Sequence, residues 1–185
     1  MNRTESSDNF ELFRNNAGTV KNVVIKDSKI VSKGYCAGIA AKNDGTIINC
    51  ISYMDLEVTA KGYVGGIVGQ HNKGTISKCQ FHGTIKVTAD GLTGGITGAS
   101  YDGSVVEYCL NTGVINSATG NVGGIVGRCR GITRGCKNTG NLTLNKATQW
   151  TGNGGVVGRC DNKTGKIIAC VNTGTVTGDA GFGGV

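Results

Sequence analysis

Proline is absent from the 185 residues. That excludes collagen, which needs abundant proline beside a glycine at every third position. It also suits strands paired on both edges, where no backbone N–H can be spared. Aromatic side chains are only 5% of the chain. No apolar run approaches the ~18 residues that a membrane-spanning helix requires, so membrane insertion is not expected. Acids number twelve; they are scattered, and none recurs in one column on adjacent repeats. Asp55 and Glu57 form the closest pair and read as a solvated strand edge. Polysaccharide lyases and glycosidases need clustered carboxylates or a carboxylate with a strong base, and neither histidine has a nucleophile and an acid beside it. The chain reads as non-catalytic.

What the chain has in excess is glycine, 33 residues, and the glycines recur in phrases. Ala37-Gly38-Ile39 returns as Gly65-Gly66-Ile67, Gly94-Gly95-Ile96, Gly123-Gly124-Ile125, Gly154-Gly155-Val156 and Gly183-Gly184-Val185. A second phrase follows as Gly45-Thr46-Ile47, Gly74-Thr75-Ile76, Gly103-Ser104-Val105 and Gly165-Lys166-Ile167. Each copy then reaches a cysteine, at Cys50, Cys79, Cys109, Cys136 or Cys170. Three copies continue as Cys-x-Asn-Thr-Gly. A period near 29 residues marks a repeat architecture, and the short β-branched segments between glycines read as strands.

Stacking the copies yields three apolar columns. The first is Ile39, Ile67, Ile96, Ile125 and Val156. The second is Ile47, Ile76, Val105, Thr133 and Ile167, followed by the cysteines, and the third is Leu56, Ile85, Ile115, Leu142 and Val176. The fold expected is all-β: a parallel β-solenoid (β-helix), right-handed, with three short strands per ~29-residue coil, equivalent residues lying about 4.8 Å apart. Residues 1–16 read as a polar N-terminal segment at the start of a fragment. Residues 17–185 read as about six coils truncated inside the last repeat. Gly83, Gly113, Gly140 and Gly174 are expected at a corner requiring positive φ. Asp44, Lys73, Asp102 and Arg130 suggest a column of alternating charge. Thr133 takes the apolar column unless a bulge near Gly135 swaps in Ile132, and Asn111, Asn138 and Asn172 suggest an amide ladder.

These phrases resemble the GLUG motif, a bacterial repeat read roughly as Gly-Gly-Ile-Val-Gly, Gly-Thr-Ile-x-x-Cys and Asn-x-Gly-x-Val. Residues 65–69 and 123–127 both read GGIVG. The resemblance spans about residues 17–185. It implies a secreted or cell-surface location, as in adhesin-like proteins and the non-catalytic regions of immunoglobulin-A-cleaving metallopeptidases, and it brings no catalytic residues. The expected role is a structural or adhesive segment that presents other domains of the same polypeptide. The alternative is an accessory region of a surface metallopeptidase or glycan-active enzyme.

The net charge of +7 gathers in one stretch of sequence. Residues 120–170 hold eight basic side chains against one acid, Asp161, leaving eleven of each sign elsewhere. Arg128, Arg130 and Arg159 surround one turn on two coils, Lys163 lies nearby, and Trp150 sits in the longest inter-strand loop. Together they form a candidate site for an anionic glycan or a host or cell-wall polymer, by ion pairing and stacking. The other reading is a solvated face with Trp150 packed over a coil edge. Nucleic acid fits less well, because aromatics are not interleaved with the basic residues. Cys129 and Cys160 fall on adjacent coils, where a disulfide is one reading and parallel Cβ vectors would strain it. Cys79-x-x-His82, with His71 nearby, has ligand types for a metal, but Cys79 belongs to an inward column; no cofactor or metal is expected.

Overall fold

The protein, seen in a computed structural model, is described for residues 2–4, 9–118, 120–144, 152–161, 163–178 and 182–183. It is all-β, a parallel β-solenoid of about 29 residues per turn. Each coil carries five short strands and not the three read from the apolar columns. In one coil they are Gly62–Gly65, Val68–His71, Gly74–Ser77, Gln80–Phe81 and Thr84–Val87. Each pairs in parallel with its equivalents above and below, giving five ladders of seven, six, six, six and seven strands. We number them first to fifth in that order. In the sequence the first two ladders are read as one because the Gly-Gly phrase and its buried Ile mark the bend between them, and neither flanking strand shows a regular apolar alternation. The fourth escapes because two residues cannot display an alternation. Pairing also enters the N-terminal segment, where Phe13–Asn16 joins the second ladder beside Ala40–Asn43.

The apolar columns fill the interior, except at Ile167, which is exposed. Ile39, Ile67, Ile96, Ile125 and Val156 are fully buried at the bend between the first and second ladders. Leu56, Ile85, Ile115, Leu142 and Val176 stand in direct register in the fifth. Each fully buried Ile or Leu contributes roughly 1.5–3 kcal/mol. In the third ladder Ile76 pairs with Val106, not Val105, and Val106 with Thr133. One extra residue in the corner at 101–103 shifts that coil, so Val106 is the buried member. Thr133 itself is buried, and no bulge brings in Ile132. The charge column dissolves for the same reason: the backbone N–H groups of Asp44, Asn72, Tyr101, Arg130 and Asp161 each donate to the preceding coil at one equivalent place, which excludes Lys73 and Asp102 from that column.

The glycines after the cysteines are needed for space and not for conformation, because their φ values are not positive. A Cβ at Gly83, Gly113, Gly140 or Gly174 would collide with the carbonyl oxygen of the coil beside it. The left-handed corner lies instead one residue before each cysteine. It is occupied by Asn49 (φ +51°), Lys78 (+54°), Tyr108 (+52°), Gly135 (+59°) and Ala169 (+50°). The N–H groups of Asn49, Lys78, Tyr108 and Gly135 each donate to a carbonyl of the next coil, which holds a conformation L-residues otherwise avoid.

Across the interior the two recurring phrases of a coil meet. A Cβ at Gly66 would overlap the Phe81 ring, at Gly95 the Asn111 amide, and at Gly124 the Asn138 amide. The Gly-Gly dipeptide makes room for the fourth-ladder side chain facing it. There the amide ladder forms: Asn111 Nδ2 donates to Asn138 Oδ1 (2.7 Å) and Asn138 Nδ2 to Asn172 Oδ1 (2.8 Å).

Candidate functional site

The second ladder sets Lys42, Gln70, Ala99, Arg128 and Arg159 in one register column. Arg128 and Arg159 are therefore direct neighbours, as their spacing implied, and Arg130 follows at the corner. All three guanidiniums turn toward Asp161. Arg128 grips it as a fork, Nε to Oδ1 at 2.9 Å and Nη2 to Oδ2 at 2.6 Å. Arg130 Nη2 lies 3.6 Å and Arg159 Nε 3.8 Å from Oδ2. The Arg128 hydrogen bonds hold the Asp161 carboxyl below the usual carboxylate range, with the charges of Arg130 and Arg159 adding to the effect. The lone acid of the basic stretch is thus its hub, and the cluster keeps a net charge of about +2.

The rest of that stretch is dispersed. Fifty residues wrap nearly two coils, so neighbours in sequence reach different faces. Arg134 lies in the third ladder and forks onto Glu107 (Nη2 to Oε2, 2.6 Å; Nε to Oε2, 2.9 Å). Lys137 lies in the fourth ladder. Lys163 is not among the cations paired with Asp161; with Lys166 and the hub residue Arg130 it lines a cavity of about 360 Å³ at the corner between the second and third ladders.

Three tyrosines that the sequence did not single out adjoin the arginines. Tyr35 and Tyr63 occupy equivalent repeat positions on adjacent coils, with ring centroids 4.8 Å apart and planes tilted by 36°. The Tyr63 and Tyr101 hydroxyls lie 2.9 Å apart in a hydrogen bond. Arg130 sits 5.8 Å over the Tyr101 ring and Lys42 5.8 Å over Tyr35. Burial and the Tyr63 hydrogen bond push the Tyr101 phenol up to about 12. A groove of about 430 Å³ runs beside them, lined by Tyr35, Lys61, Tyr63, Asp90, Leu92, Asn121 and Arg128. Aromatics are therefore interleaved with the basic side chains after all. The signal was there in Tyr35 and Tyr63, which occupy one repeat position; Tyr101 was hidden by the variable corner it occupies. Trp150 lies outside the described residues.

Cys129 and Cys160 are direct register partners and stand as thiols. Cys129 is buried, its Sγ 3.3 Å from Gly131 O and 3.5 Å from Thr133 Oγ1, whereas Cys160 is exposed. Burial raises the Cys109 thiol well above its ordinary value, and its neighbours in the stacked cysteine column add to that. His82 faces outward, stacked on Tyr53 at 4.9 Å and hydrogen-bonded to Thr112, while Cys79 is buried and His71 is buried in the second ladder. These three do not converge. Glu57 sits between Lys86 (3.0 Å) and Lys29 (3.4 Å) on the outer surface of the fifth ladder. No protein-family model matches this chain, and neither a curated protein nor a solved structure is significantly similar to it.

Proposed function

We propose that the chain is a non-catalytic, GLUG-type repeat segment of a bacterial cell-surface or secreted protein, spacing other domains and holding an anionic glycan along its side. The supporting observation is the meeting of the Tyr35–Tyr63 pair with Arg128 in one groove, Arg128 being joined to Arg130 and Arg159 through Asp161. A sugar ring presents an apolar face that packs on an aromatic ring, and its acidic substituent is drawn to a net positive cluster. Asp161 gives the arginines fixed directions, so less rotamer freedom is lost on binding. The parallel ladders that run through the described coils support the spacer role.

A glycan array followed by calorimetry tests this reading. The wild-type chain is expected to select acidic polysaccharides, with affinity falling as salt rises. Alanine at Arg128, Arg130 and Arg159 together should abolish the signal. Tyr63→Ala should weaken binding about tenfold, near 1.4 kcal/mol, with an unchanged urea midpoint. No acidic glycan bound, or full binding by either variant, would overturn it.

A further inference from the structure

The corner between the second and third ladders changes length from coil to coil. Two residues separate the strands at Arg130–Gly131, three at 101–103 and five at 161–165. The longest corner follows the shortest. Thr164, near the end of the longest, reaches past the shortest: its Oγ1 lies 3.0 Å from the Arg130 carbonyl in the short corner and 2.8 Å from Asp102 Oδ1 in the coil beyond, its one proton shared between these two acceptors. A short coil between two longer ones leaves a gap, and this gap is the 360 Å³ cavity.

Its charged lining is all of one sign: Arg130, Lys163 and Lys166. Neither lysine has an ion pair among the described residues, and both are exposed. Asp102, across the corner, is engaged by Thr164. Arg130 Nε is buried without an acceptor, and an unsatisfied charged donor costs more than a neutral one. Its Nη2 is turned to Asp161, so the guanidinium cannot offer the planar fork that suits a carboxylate. Lysine ammonium groups are point charges with rotatable donors, and two of them beside a single N–H suit an anion with oxygens in several directions.

The geometry points to a tetrahedral-oxyanion site in this corner, taking a sulfate or phosphate monoester group. It is separate from the tyrosine groove, whose lining includes Arg128 and not Arg130, and it does not depend on that groove binding a sugar.

Amide chemical shifts of Gly131 and Gly165 during titration with inorganic sulfate, inorganic phosphate and acetate test it without any glycan. Sulfate and phosphate should give saturable shifts in the millimolar range, and acetate should not. Lys163→Ala with Lys166→Ala should raise Kd at least tenfold. Both side chains are exposed, and an unchanged urea midpoint would show that the fold survives. N-acetylglucosamine 6-sulfate and 6-phosphate, compared in the same way, distinguish a sulfated from a phosphorylated source. Equal response to acetate, unsaturable shifts, or a double variant that titrates like wild type would overturn the site. Loss of glycan binding in Tyr63→Ala with intact sulfate titration would separate the two sites.

Discussion

Two corners of the same solenoid obey different rules. From the fourth ladder to the fifth the step is five residues in the first described coil, from Ile25 to Ile30, and four in each of the five that follow: Ser52 to Leu56, Phe81 to Ile85, Asn111 to Ile115, Asn138 to Leu142 and Asn172 to Val176. From the second ladder to the third it is four from Asn43 to Ile47, five from His71 to Ile76, six from Ser100 to Val106, four from Cys129 to Thr133 and seven from Cys160 to Ile167. In four of those five coils this regular corner is closed by glycine, at Gly83, Gly113, Gly140 and Gly174, whose missing Cβ lets the neighbouring carbonyl approach, and Met54 takes the equivalent place in the other. The variable corner opens to solvent, where an added residue displaces nothing. The oxyanion cavity lies along it, and the tyrosine groove reaches the other variable connection, where Lys61 and Asp90 follow the fifth ladder. Uniform corners hold the coils together, and irregular ones shape the surface.

The most severe test of this contrast is one methyl group placed in each corner. Gly83→Ala must push back the Met54 carbonyl, which is backbone and cannot rotate away. A loss of about 3 kcal/mol or more is expected. Gly103→Ala meets nothing within 4 Å and pays only for its φ of +82°, about 1 kcal/mol. Urea midpoints measure both. Equal losses would dissolve the distinction.

The same contrast explains what could be read from the sequence. The Ile39 and Leu56 columns, the cysteine column and the amide ladder of Asn111, Asn138 and Asn172 all lie where spacing is constant, so counting residues finds them. Val106 was missed in favour of Val105 because an inserted residue at 101–103 is invisible to a glycine count. Asp161 as a hub was missed because its partners lie 31 to 33 positions back or two residues away, and only corner length decides which of them it meets. Gly83 was assigned the wrong reason, since a glycine required by a neighbour's approach and one required by a positive φ look identical in sequence.

Asp161→Asn sharpens the comparison at the variable corner. Removing the charge leaves three guanidiniums facing each other, half-buried. A cost of about 1–2 kcal/mol is expected, between an exposed pair and a fully buried one. The Asp161 carboxyl is held low in the folded state, so its contribution is complete above the unfolded value near 3.8. It is lost as pH falls through the folded value. The difference between variant and wild type should therefore persist at neutral pH and shrink only in strong acid.

A subtler test lies in the second ladder just before that corner. Asn16 Nδ2 donates to Asn43 Oδ1 (2.6 Å), and Asn43 Nδ2 lies 3.1 Å from His71 Nδ1. His71 is fully buried, and burial holds its pKa below the ordinary value despite Asp44 nearby. The unfolded chain therefore takes up this proton first. Stability is complete above about pH 6.5 and declines as pH falls toward the folded value. His71→Asn extends the asparagine ladder and removes the titration. Its urea midpoint should be flatter than wild type below pH 6.5, with a residue of the slope from half-buried His82. An unchanged slope would place the acid sensitivity elsewhere.

The smallest effect expected is a gain. Lys78 is exposed and sits at φ +54°, in the left-handed corner before Cys79. Glycine already takes the equivalent place at Gly135 (φ +59°). Lys78→Gly relieves a backbone strain of about 1–2 kcal/mol but loosens the unfolded chain by roughly 0.5–1 kcal/mol. A net stabilisation of about 0.5 kcal/mol should remain, read as a higher urea midpoint at unchanged slope. A loss would mean that the N–H bond from Lys78 to Glu107 O (3.1 Å) depends on a side chain to hold its geometry. The corner would then be maintained by more than coil-to-coil pairing, and the reason for its constant spacing would have to be sought in the residues it displays.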